Sequence, residues 1–315
     1  MPSLDIIIVN WNARDQLRRC LGSIAACARG DIVLNRVVVV DNGSTDDSIS
    51  GISGFDLPLT LIANPENRGF AVACNQGAAD STADYFLFLN PDTRLDPDSL
   101  TTPVRFMQEP QNSGYGIVGI QLVGEDGTVS RTCARLPTPG QILVRLLGLN
   151  HLAPGFFPNQ LMEEWDHQRS MEVDHVMGAF YLVRAEVFHR LRGFDERFFV
   201  YYEDVDFSCR AARLGWRSYY LTAARAYHRG GGTSYQVKPI RLFYSLRSRI
   251  LYAFKHFGTG AAMLVALATL AVEPVTRLGL AILQRSPETM RDTMSGYRLL
   301  WRSAPSILAK GFRRL

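Results

Sequence analysis

The apolar positions of the first ninety residues fall into short β-branched runs separated by amphipathic stretches. Asp5 to Val9 is one such run, ending at Asn10. A helical pattern follows, with Leu17, Leu21, Ile24 and Ala28 on one face. Arg36 to Val40 predicts a second strand, ending at Asp41. Ser44 is placed to cap a short helix with Asp46 and Asp47 in its first turn. Leu59 to Ala63 is a third strand, and Asn67, Arg68 and Gly69 form a turn before a helix from about Phe70 to Ala79. Tyr85 to Leu89 is a fourth strand, closed by Asn90-Pro91-Asp92. This alternation predicts an α/β fold. Each conspicuous polar cluster follows the C-terminal end of a strand, where open parallel sheets bind ligands. No GxGxxG follows the first strand, so a dinucleotide-dependent oxidoreductase loses its main support.

Beyond Gly114 the pattern changes. Ile117 to Val123 and Val129 to Ala134 flank a turn at Gly124–Gly127 and predict a hairpin. Residues 135 to 172 are rich in Pro, Gly and long apolar side chains, with no period. Val173 to Val183 predicts a strand, Ala185 to Leu191 a helix, Gly193 a turn, and residues 204 to 214 a helix. Arg217 to Leu221 is a further strand, leading through Ala224 to His228 and to Gly230-Gly231-Gly232. The remainder reads as helical, with no internal repeat. Ala261 to Val272 is apolar but roughly half the length a bilayer requires. Glu273, Pro274 and Arg277 interrupt it before Leu278 to Leu283 resumes, which predicts an interfacial helical hairpin or packed helices rather than a spanning segment.

A chain of 315 residues, 47% hydrophobic and 20% charged, holds one large folded domain with appendages or two modest ones. The five cysteines form no CxxC pair, which argues for reduced thiols in a cytosolic compartment and against a zinc ribbon or disulfide framework. The first apolar run is too short for a signal peptide, and Asp5 stands where a positive flank is expected. The net charge of +4 is unevenly placed: from Lys238 onward thirteen Lys or Arg face three acidic residues, a balance of +10 that leaves −6 for the first 237 residues. A basic tail on an acidic body predicts a meeting with an anionic surface. Anionic lipid is the preferred partner over nucleic acid, because no zinc finger, RRM signature or clear helix-turn-helix accompanies the charge.

Candidate chemistry concentrates at four places. Residues 193 to 210 set five acidic side chains among Phe194, Phe198, Phe199, Tyr201, Tyr202 and Phe207. Carboxylates packed there would be desolvated, so Glu203, Asp204 and Asp206 must be paired, metal-bound or poised for proton transfer. Service to the dipole of a following helix is a compatible, plainer role. Asp41, opening DNGSTDD after four valines, can accept a base N–H or a ribose hydroxyl, with Gly43 letting the chain turn close to a ligand; an ordinary strand-to-helix turn would look the same. Asp92, with a second ligand elsewhere, suits Mg²⁺ or Mn²⁺ bridging a diphosphate, although an Asn-Pro turn alone explains the segment too. His228 precedes three glycines that allow close approach to phosphates, whereas a lone histidine is more often structural.

VVVVDNGSTDD, NRGFAVACNQG, FLNPD, MGAFYLVR, RGFDERFFVYYEDVDFSCR and AYHRGGGTS occur in that order, and as a set the chain closely resembles the family 2 glycosyltransferases, inverting enzymes of the Rossmann-like GT-A fold. Within them it is most similar to bacterial rhamnosyltransferases that use dTDP-rhamnose. The resemblance covers about residues 4 to 235. It implies a catalytic domain over residues 1–235 and leaves 236–315 as a basic, helical, membrane-associating extension. It implies that Asp41 binds the nucleoside with Asn10 and Trp11 beside the base, and that Asn67, Arg68, Gly69 and Asn75 line the nucleotide pocket. Asp92 would be the metal-binding carboxylate of a DxD-type motif, with Asn90 in place of its first aspartate, a charge lost from the cation site. His228 would be a further metal or diphosphate contact, Asp204 the general base, and Glu203 the group that orients base or acceptor. Asp195 receives no catalytic role. The implied partners are a nucleotide-sugar donor, a glycan or lipid-linked glycan acceptor, and the inner leaflet of the cell membrane on its cytoplasmic side. A different donor (a UDP-hexose or UDP-galactofuranose) and a noncatalytic nucleotide-sugar-binding module stay open.

Overall fold

The computed structural model describes residues 1–149, 156, 159–230 and 237–312. Met1–Arg135, Leu161–Glu196 and Glu203–Thr233 make one compact unit; Leu136–Gln160, Arg197–Tyr202 and Ser234–Leu315 make another. The strands are β1 (Ser3–Asn10), β2 (Val33–Asn42), β3 (Leu59–Asn64), β4 (Tyr85–Leu89), β5 (Thr93–Leu95), β6 (Tyr115–Val123), β7 (Cys133–Ala134), β8 (Met171–Val173), β9 (His175–Val176), β10 (Phe180–Arg184) and β11 (Arg217–His228). The helices are α1 (Asp15–Ala26), α2 (Phe70–Ala78), α3 (Thr101–Gln108), α4 (Pro139–Leu146), α5 (Ala185–Arg190), α6 (Glu203–Arg213), α7 (Lys238–His256), α8 (Thr259–Leu267), α9 (Glu273–Leu283) and α10 (Pro287–Phe312).

The first unit is built on a nine-stranded sheet of order β3-β2-β1-β4-β10-β6-β11-β5, with β8 beside β11, while β7 and β9 pair separately. β1, β2, β3 and β4 run parallel, and β10 inserts antiparallel between β4 and β6. The valine and isoleucine runs explain why β1 and the C-terminal half of β2 are buried on both faces, whereas β3 at the sheet edge stays largely exposed. Ile6, Ile8, Val37 and Val39 pack with α1 and α3, whereas Ile7, Val9, Val38 and Val40 pack with α2, α5 and α6. Gly77 of α2 lies so close that a Cβ there would sit 2.5 Å from Ile7 Cγ2. Strand order reverses at β1, between β2 and β4, so the crevice at their C-terminal ends is where a ligand belongs.

Two expectations need correction here. The hairpin after β6 exists only at its tip, where Val123 bridges Val129; β6 instead lies between β10 and β11, and Cys133–Ala134 pairs with β9. The apolar run Val173 to Val183 is three strands rather than one, because the backbone N–H of Gly178 is drawn out to donate to Asp204 at 3.0 Å. The five cysteines are buried thiols outside any disulfide.

The second unit is helical: α7, α8, α9, α10 and α4, with α10 packed along α7. The expected break at Glu273–Pro274 is absent. Thr259–Leu283 is one helical run of 25 residues with mean hydropathy 1.6, long and apolar enough by length and composition to cross a membrane. Pro274 lies inside this run and donates no hydrogen bond to the turn before it; a π turn at Ala268–Val272 makes the junction, and the Leu270 carbonyl accepts from Trp301 Nε1 at 2.9 Å. Glu273 is tolerated in this run because its buried carboxylate is paired with both Arg249 and Arg277.

Candidate active site

The parallel register sets Asn10 beside Asp41 at the ends of β1 and β2. Asn10 Nδ2 donates to Asp41 Oδ1 at 2.7 Å and to Ser48 Oγ at 2.8 Å, and the Ser44 N–H donates to Asp41 Oδ2 at 3.2 Å. Asn10 is fully buried, yet its Oδ1 has no hydrogen-bond partner in the protein, an acceptor left for a donor group. Half-buried Trp11 follows, then Asn12 and Arg14 with φ of 51° and 52°. Their N–H groups donate to Ser44 Oγ and Asp46 Oδ2, each at 2.9 Å. That use of Ser44 and Asp46 is why no helix starts at Ser44: the capping side chains hold the neighbouring loop instead. Gly43 has φ +74°, and a Cβ there would lie 2.8 Å from the Glu66 backbone. The close approach it permits is to the β3–α2 turn.

That turn is held by an amide network absent from the expectations. Asn42 Nδ2 donates to Asn67 Oδ1 and to the Gly69 carbonyl at 3.0 and 3.1 Å, and Asn42 Oδ1 accepts from Arg68 N–H and from Asn64. Asn64 and Gln76 exchange a pair of hydrogen bonds. Asn67 and Gly69 therefore shape the turn, and Arg68 is left exposed. Asn75, expected to line the nucleotide pocket, spends its amide on the 193–196 turn, bonding the Phe194 N–H and carbonyl at 2.9 Å each and Glu196 at 3.0 Å.

Asp92 and His228 meet because β5 and β11 pair antiparallel, Thr93 opposite His228. Asp92 Oδ1 is 3.3 Å from His228 Nε2, and the side chains retain only 9% exposure each. Two neighbouring ligands of an octahedral Mg²⁺ stand about 3 Å apart, so this separation fits a shared cation. Among the described residues no third His, Cys, Asp or Glu joins them. The two could supply at most two ligands to a cation, and the same 3.3 Å separation is that of a direct Asp–His contact. Asn90 closes β4, its N–H donating to the Ala179 carbonyl at 3.0 Å. Gly231 and Gly232 of the expected glycine loop lie outside the described residues.

Ala179 also links this cluster to the acidic helix, since the preceding Gly178 N–H donates to Asp204 Oδ2. Asp204 Oδ1 accepts from Val205 N–H at 2.8 Å. The three acids of α6 separate by exposure. Asp206 is fully buried and paired with Arg210 at 2.7 Å, and Arg210 also ties down the carbonyls of Leu191 and Gly193. Glu203 is buried with Oε2 unpartnered; burial, then the neighbouring Asp204 and Asp206, push its carboxyl well above the usual range. Asp204 alone keeps part of its side chain, 18%, open to an incoming hydroxyl.

Behind Asp204 stands His175, which sequence reasoning missed. Its Nε2 is 3.6 Å from Asp204 Oδ2, and its Nδ1 is 3.0 Å from Ser208 Oγ, which lies 2.7 Å from the Tyr181 hydroxyl. Burial pulls the imidazole below its ordinary pKa against the opposing pull of Asp204 and Asp174. The only available signal was a lone histidine inside an apolar run.

Comparison with known proteins bears on the family and the fold. The family described as Glycosyl transferase family 2 matches residues 5–221. The N-acetylglucosaminyl-diphospho-decaprenol L-rhamnosyltransferase of Mycobacterium tuberculosis (strain H37Rv) is 26% identical over 241 residues, 71% of this chain and 75% of that protein. The rhamnosyltransferase WbbL of Escherichia coli (strain K12) is 26% identical over 240 residues, 71% of this chain and 82% of that protein. Among solved structures, the mannosyltransferase PcManGT from Pyrobaculum calidifontis, in complex with GDP-Man and Mn²⁺, is similar with a TM-score of 0.56 at 19% identity, covering 99% of this chain and 86% of that one. At that identity the likeness establishes the fold, GT-A, and no more.

Proposed function

The chain belongs to glycosyl transferase family 2, and from that membership we propose that it is an inverting rhamnosyltransferase, moving L-rhamnose from dTDP-rhamnose to a hydroxyl of a lipid-linked cell-envelope glycan. The carrying observation is Asp204, the one partly open acid of its helix, hydrogen-bonded to Gly178 one residue from the strand that touches the Asn90–Asp92 turn. Asp204 takes the proton of the acceptor hydroxyl as that oxygen bonds to the anomeric carbon and the bond to the nucleoside diphosphate breaks on the opposite face. Asn10, Trp11 and Asp41 hold the nucleoside. Asn67, Arg68 and Gly69 wall the same pocket, and Asn75 fixes the turn before α6. Asp92 and His228 would hold Mg²⁺ or Mn²⁺, which when bound neutralises charge on the departing diphosphate. The names of the mycobacterial and Escherichia relatives support rhamnose, and the mycobacterial name supports a lipid diphosphate acceptor.

Residues 1–235 act as the catalytic domain, and 236–315 attach it to the inner leaflet from the cytoplasm, combining exposed Arg241 of α7 with the apolar Thr259–Leu283 run, while Arg247 is half-buried and Arg249 is buried against Glu273. A nucleotide-sugar thermal-shift panel, with and without Mn²⁺ or Mg²⁺, tests the reading, because a donor that binds only the native state must raise its stability. dTDP-rhamnose should give the largest shift. A larger shift with a UDP-hexose or UDP-galactofuranose would replace rhamnose as the donor, and sugar-nucleotide binding with no donor turnover in the presence of acceptor would point to a noncatalytic module.

A further inference from the structure

One short segment reaches Asp204 Oδ2 from two directions. The Gly178 N–H donates to it at 3.0 Å, and His175 Nε2 stands 3.6 Å away. The second distance is longer than a hydrogen bond, but the imidazole is buried, where the carboxylate's charge is weakly screened. We propose that His175 is a positioning residue for the base: a neutral imidazole, held with its proton on Nε2, that keeps Asp204 ionised and fixed in orientation until the acceptor hydroxyl gives up its proton. The inference rests on the reading of Asp204 as that base.

The side chains behind the ring set its tautomer. The Tyr181 hydroxyl lies 2.7 Å from Ser208 Oγ and 3.4 Å from the Asp204 carbonyl, so its proton is better placed on the serine. Ser208 then donates to His175 Nδ1 at 3.0 Å, and the single proton of the neutral ring is left on Nε2, facing Asp204. The opposite direction would aim a bare nitrogen lone pair at a carboxylate, which only accepts. Tyr181, Ser208 and His175 are all buried, which removes bulk water as a rival partner.

The surrounding titratable groups leave this work to the imidazole. Asp206 is paired with Arg210, and Asp174, beside His175, is exposed. Burial pushes up the Glu203 carboxyl, the Cys74 thiol of α2, the Cys133 thiol of β7 and the Tyr181 phenol of β10. Burial also pulls the imidazole below its ordinary value, against Asp204 and Asp174, which suits a ring that stays neutral. In the transfer step the acceptor proton passes to Asp204 as its oxygen bonds to the anomeric carbon and the bond to the diphosphate breaks. His175 keeps its own proton throughout. A neutral ring therefore leaves no unpaired buried cation once Asp204 is protonated.

The test has one arm without any transfer. In the full chain labelled with ¹⁵N-histidine, long-range ¹H–¹⁵N correlation should show His175, identified by its loss in His175→Gln, as the Nε2–H tautomer at neutral pH. Asp204→Asn should lower its protonation midpoint, because the carboxylate that favours the imidazolium is gone. The second arm is turnover of dTDP-rhamnose with water as acceptor, or of whichever donor gives the largest thermal shift. His175→Leu should lower kcat by about ten-fold or more, the equivalent of one hydrogen bond to a charged group, with donor KM unchanged. Its kcat–pH profile should have the acidic limb moved up by about one unit. His175→Gln, whose amide nitrogen can stand in for Nε2, should recover most of the loss. Ser208→Ala, which takes away the Nδ1 donor, should move the acidic limb the same way, and it replaces the Leu variant if that one does not fold. An Nδ1–H tautomer, equal losses in the Leu and Gln variants, or an unmoved acidic limb overturns the proposal. Turnover retained in Asp204→Asn would instead sink the base reading, so the two readings fail on different proteins.

Discussion

Replacement of Asp204 by Asn removes a charge and little volume, but the structure makes it more than a loss of the base. Asp204 accepts a backbone N–H on each oxygen, Gly178 on Oδ2 and Val205 on Oδ1. An Asn amide has one acceptor, so in either orientation its NH₂ faces a backbone donor. Leaving one such N–H unmet costs about 1–3 kcal/mol. For a unit of 150–250 residues each kcal/mol lowers Tm by about 2–4 °C. Asp204→Asn should therefore melt several degrees below the wild type. Loss of the base should lower turnover by about two orders of magnitude or more. Donor binding should persist, since the proposed nucleoside pocket at Asn10 and Asp41 is built from strands β1 and β2. Thermal unfolding, donor titration and single-turnover transfer test the three parts. Turnover within a few-fold of wild type would remove Asp204 as the base, and an unchanged Tm would refute the two-acceptor geometry.

Asp92→Ala and His228→Ala should each weaken activation by Mn²⁺ or Mg²⁺ by at least about ten-fold, read as a rightward shift in a metal titration of donor turnover; unaltered metal dependence in both would rule out the cation site. Gly43→Ala places a Cβ at 2.8 Å from the Glu66 backbone at a positive φ, so it should destabilise by more than about 1 kcal/mol and raise KM for the donor, with wild-type melting as the contrary result. Glu203→Gln should stabilise the protein increasingly with pH. The folded-state pKa of Glu203 is raised by burial, so its contribution is fully present below the unfolded value near 4.5 and is lost as pH rises through the folded value. Urea unfolding across that window should show the variant gaining on the wild type as pH rises, and a pH-independent difference would mean that Glu203 ionises normally.

In the parallel half of the sheet β1 and β2 were legible as buried β-branched runs and β4 as a short continuous apolar run, patterns short enough to read from neighbouring residues alone. Asp41, Asp92 and His228 stood out in the sequence as candidates for a related reason: each lies at or just past the end of a strand, where a polar side chain contrasts with an apolar run, and Asp204 opens a helix. What escaped depends on contacts between distant segments. Val173 to Val183 reads as one strand, and only the pull of Asp204 on Gly178, 26 residues away in sequence, breaks it. His175 looks like a core histidine until that break brings it to Asp204. Asn75 carries the same residue type a nucleotide pocket would use, yet its partner lies 119 residues along the chain. The helix across Glu273 was hidden because two arginines, one of them distant in sequence, remove the charge that should have ended it.

The three acids at the start of α6 show why residue type alone could not assign a base. Helical geometry turns successive side chains by about 100°, so Glu203, Asp204 and Asp206 face three environments. Asp206 meets Arg210 and the carbonyl-bound turn before the helix, which makes it a structural anchor. Glu203 faces the interior without a partner for Oε2, and burial pushes its carboxyl well above the usual range. Asp204, between them, takes two backbone N–H groups and alone keeps part of its side chain open to solvent. On the proposal that Asp204 is the base, that division of environments, and not residue type, is what selects it.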